Sequence, residues 1–194
     1  MGYSIDPISD NCYPGTSVLI NKFDIRDEAK LNEVESVLVS ARNAEWLSEP
    51  KTETFDFAHY KAIHYFLFSD LYDWAGQVRT VNISKKGTRF TLAEIDRQAE
   101  LIFQRLKDCD YFGGLPHDKF VEEIVDFYCV TDELHPFREG NGRTRRAFLT
   151  QLIRNAGNDI NFADMDTEFL MIATSQSAQG VTDLLKPILS ERII

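Results

Sequence analysis

Cysteine is scarce in this chain, and long apolar runs are missing altogether. Cys12, Cys109 and Cys129 stand far apart with no CxxC spacing. They offer neither a disulfide framework nor a metal-ligand pattern and fit free thiols in a reducing cytoplasm. His59 and His64 lie five apart without an HExxH pattern, which also argues against zinc. No apolar stretch nears the ~20 residues of a membrane span. The opening MGYSIDPISD has no basic segment followed by an apolar one, and Asp6 stands where a myristoylation signal needs Ser or Thr. Neither a secretory leader nor a lipid anchor is expected. Positive charge is outnumbered, with 21 Lys and Arg against 31 Asp and Glu, for a net charge of -10. Such a surface has no counterion-release gain to offer, so nucleic acid and anionic membrane are not expected as direct partners. Repeats, low-complexity tracts and Pro/Gly/Ser-rich linkers are also absent. A single domain over 1–194 is expected, and 43% hydrophobic residues are enough for a core without metals or disulfides.

What is present reads mainly as helix. Leu31, Val34, Leu38 and Ala41 share one helical face, and Phe57, Tyr60, His64, Leu67 and Leu71 another. Leu92, Ile95, Ala99, Ile102 and Leu106 make a third, with Thr91 placed as N-cap and Glu94 completing a capping box. A fourth helix opens at His117 or Asp118 and carries Phe120, Ile124, Val125 and Tyr128. A fifth starts near Gly142, carries Ala147, Phe148, Leu149, Leu152 and Ile153, and stops at Gly157. Two weaker helices are expected over 165–176 and 181–190. The β-branched alternation of Val78 to Ile83, a turn at Lys85 to Thr88 and then Arg89-Phe90 read as either a short hairpin or a connecting loop.

One segment departs from ordinary globular sequence. His135 to Arg146 reads HPFREGNGRTRR and lies between the fourth and fifth helices. A helix start carries unpaired N–H groups and partial positive charge. Gly140, Asn141 and Gly142 let the backbone curl there into an anion-binding nest. Arg143 and Arg146, three apart, can face one anion, and guanidinium forks suit phosphate oxygens, so the segment points to an oligophosphate. Glu139 either neutralises Arg138 or Arg143, or holds Mg²⁺ against bound phosphates. His135 precedes a proline, marks a helix boundary and titrates near neutral pH, as a base for a hydroxyl proton must. Phe137 is expected as a core anchor. Arg138 and Arg145 have no assigned role.

At these residues the segment resembles the Fic family signature HPFx(D/E)GN(G/K)RxxR, with every specified position filled. Asp73-Trp74-Ala75-Gly76-Gln77-Val78-Arg79 ahead of the hairpin is similar to the family's approach to its flap. Tyr13-Pro14-Gly15-Thr16 is similar to the start of small bacterial members. The resemblance implies a mainly helical domain with one short β-hairpin (the flap, about 78–90) beside an active-site loop at 135–146. It implies transfer of AMP from ATP to a Ser, Thr or Tyr hydroxyl of a target protein. His135 would be the general base and Glu139 the Mg²⁺ ligand. Gly140, Asn141 and Gly142 would form the anion hole, with Arg143 on the β-phosphate and Arg146 on the γ-phosphate. Gly142 is Lys in the phosphorylating Doc branch, so glycine favours AMP transfer. Glu139 departs from the commoner Asp. The flap residues Ile83, Ser84, Lys85, Lys86, Gly87, Thr88, Arg89 and Phe90 would receive the target by strand addition, and Phe169 to Gln176 would lie near the adenine. Members are commonly restrained by a helix bearing (S/T)xxxE(G/N), and no Ser or Thr here has Glu four residues later. A separate antitoxin-like protein contacting Arg146 is therefore expected, or no restraint at all. Transfer of UMP, phosphocholine or phosphate, and a non-catalytic nucleotide-binding module, stand as alternatives.

Overall fold

The computed structural model describes residues 4–5, 11–48, 53–85, 88–90, 94–165, 170, 172–174, 176 and 184–194. Helix α1, Glu28–Ser48, buries Leu31, Glu35, Val39 and Trp46. The stripe thus runs one residue off the expected one. Val34 and Leu38 flank it half-buried, Ala41 is exposed, and a carboxylate sits in the apolar face. Helix α2, Phe57–Phe68, is capped by Asp56, whose side chain accepts from the His59 N–H at 2.7 Å. This satisfies one of the four N–H groups a helix start leaves open.

Helix α3, Ile95–Asp108, begins later than its spacing implies. Glu94 is its N-cap residue, with φ 62°; its carbonyl accepts the Gln98 N–H, but its side chain makes no cap bond and instead pairs with Arg97. Hence no capping box involves Glu94, and Thr91 lies outside the described residues. Helices α4, His117–Leu134, and α5, Asn141–Asn155, flank the HPFREGNGRTRR loop. Past α5, the Gly157 N–H bonds to the Arg154 carbonyl and the Asn158 N–H to that of Ile153. Gly157 has φ 88°, the left-handed turn that such a helix end requires. The last helix, α6, is Leu185–Arg192 and packs on α4. Of the helix expected over 165–176, residues 170, 172–174 and 176 are described as helical, and Phe169 lies outside the described residues.

The core forms where α5 packs against α1, α2 and α4. Phe148 is fully buried at its centre, with ring centroids 5.4 Å from Tyr60, 5.6 Å from Phe103 and Phe127, and 5.7 Å from Phe55. Four parts of the chain thereby meet on one side chain of α5. Beside this core, β2 (Ile83–Lys85) pairs antiparallel with β3 (Thr88–Phe90), matching Ile83 with Phe90. A short strand, β1 (Ser4–Ile5), pairs with the other side of β2. The residues from Val78 to Asn82 are not strand. The Arg79 N–H is spent on the Pro136 carbonyl at 2.9 Å, so this stretch follows the active-site loop rather than a neighbouring strand.

Candidate active site

His135 ends α4 in the left-handed region, φ 41° and ψ 57°, rather than in the extended geometry usual before proline. A non-glycine residue there needs support from its surroundings. Arg79, itself buried, supplies it: its Nε donates to the His135 carbonyl at 2.8 Å and its Nη1 to the Val81 carbonyl at 2.7 Å. The Phe90 ring stacks on the imidazole with centroids 3.9 Å apart. Nδ1 lies 3.0 Å from the Asp132 carbonyl oxygen. Because that oxygen can only accept, Nδ1 carries a proton, so the neutral ring would have its lone pair on Nε2.

Two buried side chains hold the loop beyond His135. Phe137 is fully buried and stacks on His64 at 3.8 Å, as expected of a core anchor. His64 in turn accepts the Gly76 N–H on Nδ1 at 2.8 Å and meets the Glu139 carbonyl with Nε2 at 3.0 Å. Burial pushes its imidazole down to about 3, so it stays neutral. Asn141 clasps the loop from the other side. Its Oδ1 accepts the Phe137 N–H and its Nδ2 donates to the Phe137 carbonyl, both at 2.8 Å. The Asn141 side chain is therefore buried and bonded to the loop backbone, which leaves its own backbone N–H to face an anion.

Gly140 precedes α5 at φ 82°, and a Cβ there would meet the Phe68 ring at 2.3 Å. Among the described residues no side chain caps α5, which leaves the N–H groups of its first turn for a ligand. The Glu139 carboxylate takes the Gly140 N–H at 2.8 Å through Oε1 and meets Arg143 Nη2 at 3.5 Å through the same atom. Arg143 also rests over the Phe68 ring at 4.8 Å and pairs with Glu35 at 2.5 Å. Glu35 accepts the Tyr72 hydroxyl on its second oxygen. Burial acts against the Arg143 charge, but Glu35 and Glu139 outweigh it and the guanidinium is held more strongly cationic.

Arg146 differs. Its Nη1 lies 3.4 Å from where a Gly142 Cβ would sit, so it lines the nest at Gly142. It is half-buried, and burial followed by the Arg145 and Arg143 charges lowers its pKa, opposed by Tyr128. Among the described residues no carboxylate pairs with it. Arg138 and Arg145 turn inward. Arg138 donates to the Cys12 sulfur at 3.5 Å, and Arg145 pairs with Asp132 at 2.6 Å while lying 4.2 Å over the Tyr128 ring.

His135, Glu139, Gly140, Gly142, Arg143 and Arg146 thus gather at one helix start, with Asn141 as their clasp. Of the flap residues, Ile83 and Phe90 are buried, and only the strand pairing is described for Ser84, Lys85, Thr88 and Arg89. Lys86 and Gly87 lie outside the described residues. Glu35, Tyr72 and Asp132 belong to no motif in the sequence, and Arg79 stands only in the segment ahead of the hairpin. A glutamate four residues from Leu31 and four from Val39, inside an apolar stripe, was the one available signal.

Known proteins resemble this chain over most of its length. Residues 54–153 match the model of the Fic/DOC family. The chain is 36% identical over 177 residues to the probable protein adenylyltransferase y4lH of Sinorhizobium fredii, covering 90% of this chain and 89% of that one. It is 35% identical over 191 residues to the protein adenylyltransferase VbhT of Bartonella schoenbuchensis, covering 98% of this chain but spanning 39% of that protein. The crystal structure of BepC from Bartonella tribocorum with bound AMPPNP superposes with a TM-score of 0.89 at 27% identity, over 95% of this chain and 96% of that one. With the matched region taking in the helices that hold the loop and the loop itself, this chain belongs to the Fic/DOC family.

Proposed function

We propose that this chain is a protein adenylyltransferase that moves AMP from ATP to a hydroxyl side chain of a target protein. The observation that carries the reading is the uncapped start of α5, where Arg146 has no carboxylate partner among the described residues and faces the nest. y4lH and VbhT are named protein adenylyltransferases, and the BepC structure holds an ATP analogue.

In this reading the first-turn N–H groups, with Arg143 and Arg146, bind the β- and γ-phosphates and leave the α-phosphate toward His135. Nε2 accepts the target hydroxyl proton as the oxygen attacks the α-phosphorus, and the bond to the bridging oxygen breaks. AMP is then joined to the target, and pyrophosphate leaves with its charge held by the two guanidinium groups. Glu139 fits a metal role. Its Oε1 is engaged by Gly140 and Arg143, while Oε2 has no hydrogen bond among the described residues. Mg²⁺ held there would supply charge neutralisation at the phosphates, with the remaining ligands from phosphate and water.

Between the two strands of the hairpin, β2 is already paired on both sides, so a target segment has the β3 edge for strand addition. Phe90 on that strand touches His135, which would bring the incoming hydroxyl to the base. Arg146, which has no carboxylate partner among the described residues, would suit a carboxylate from a separate antitoxin-like protein. Cys12, Cys109 and Cys129 form no disulfide among the described residues, which suits a cytoplasmic enzyme. Among the described residues no helix is long and apolar enough to cross a membrane.

The test uses ATP labelled on either the α- or the γ-phosphate, with Mg²⁺, this protein and cell lysate. α-Label is expected on protein and should vanish in His135→Ala. γ-Label on protein would instead mean phosphate transfer, and neither label would mean a binding module or another donor.

A further inference from the structure

Three buried groups meet behind the base. Asp132 Oδ1 lies 3.7 Å from His135 Nδ1 and 2.6 Å from Arg145 Nη1, and all three residues are at least nine-tenths buried. Water screens such charges poorly, so the protonation of the imidazole depends on the sum of what surrounds it. A bare Asp132 carboxylate at this distance would hold a proton on the ring and make His135 a weak base near neutral pH. Arg145 engages the same oxygen more closely and cancels that charge. The tautomer is set separately, by the Asp132 backbone carbonyl at 3.0 Å.

We propose that the Asp132–Arg145 pair is a positioning device for His135, in which Arg145 neutralises the carboxylate so that the imidazole stays uncharged and able to accept a proton. The pair spans α4 and α5, the two helices that carry the ends of the active-site loop. Other groups among the described residues pack around the ring and the pair. Arg79, from the segment before β2, donates to the His135 carbonyl, and Phe90 from β3 covers one ring face without charge. Tyr128 from α4 and Tyr60 from α2 face Arg145, and Arg146 borders it. The role of His135 as base rests on the adenylyltransferase reading. The charge balance does not.

The test is a proton NMR titration of the ring signals of the four histidines, with His135 identified by its loss in His135→Asn. Arg145→Leu exposes the ring to an uncompensated carboxylate, so the His135 midpoint should rise by about one pH unit or more. Asp132→Asn keeps the backbone carbonyl but leaves Arg145 unbalanced, so the midpoint should fall. The double variant, and Arg145→Lys, should return toward the wild-type value. A pair that serves stability alone would lower the melting temperature of both single variants without moving the midpoint in opposite directions, and that result overturns the proposal. If Arg145→Leu does not fold, a midpoint in Asp132→Asn that rises or stays fixed overturns it equally. No nucleotide or target is needed, so failure here leaves the AMP-transfer reading standing, and absence of α-label leaves this one standing.

Discussion

His64 touches neither phosphate nor target in the proposed reaction, yet it is bonded on both ring nitrogens, to Gly76 and to the Glu139 carbonyl. Protonation would force a second N–H onto Nδ1 and set it against the Gly76 N–H. Together with burial this keeps the folded pKa near 3, against about 6.5 when unfolded. The sign follows from proton binding. Between these values the unfolded chain takes up a proton that the folded one refuses, so the His64 contribution is full above pH 6.5 and is lost as pH falls. Its slope is about 1.4 kcal/mol per pH unit below 6.5. Urea denaturation of wild type and His64→Gln between pH 7 and 4.5 checks this. The wild type should lose stability along that slope relative to the variant, and a parallel pair of curves would show that His64 titrates normally.

At the scale of the element, the start of α5 is shaped from below by Phe68 at the end of α2. The ring lies under Gly140 and under the Arg143 guanidinium, so one side chain sets both the backbone and one of the cations proposed to bind phosphate. Gly140→Ala is therefore doubly unfavourable. Its φ of 82° costs an L residue about 1–2 kcal/mol, and the collision with Phe68 adds about 1–3 kcal/mol of overpacking. A fall in unfolding free energy of that combined order, with weaker ATP binding by calorimetry, is the expected outcome. An unchanged urea midpoint would mean that the loop relaxes freely. This element was legible in the sequence because its information is local: glycines, cations and a histidine within twelve consecutive residues. The contacts that position it were not. Glu35 reaches Arg143 across 108 residues, and Arg145 finds Asp132 on another helix. Val78 to Asn82 has strand composition, but the Arg79 N–H within it is claimed by the Pro136 carbonyl, and no propensity records that. Glu94 has the right spacing for a capping box, yet its left-handed backbone makes it the N-cap residue instead.

Over the whole molecule, the cost of keeping the site open and the strength of the core oppose each other. Arg146 is half-buried and crowded by Arg143 and Arg145, with no carboxylate beside it among the described residues, so the fold holds it against a desolvation cost. Phe148, on the same helix two residues later, joins the loop before α2 and helices α2, α3 and α4 through its ring contacts. The two positions should separate function from stability. Phe148→Ala is expected to cost about 3–5 kcal/mol, a large part of the ~5–15 kcal/mol that holds a domain together. In whatever fraction remains folded, its nucleotide affinity should be close to wild type, because the loop is held by Asn141 and His64 rather than by Phe148. Arg146→Gln should do the reverse. It removes an uncompensated charge, so the thermal midpoint should stay level or rise, while ATP affinity falls at least tenfold from the loss of a charge-assisted phosphate contact. Calorimetry and thermal denaturation on both variants decide the matter. A clear drop in the Arg146→Gln midpoint would mean that the guanidinium is already compensated within the protein, and the start of α5 would then be a satisfied structural element rather than a site built to receive an anion.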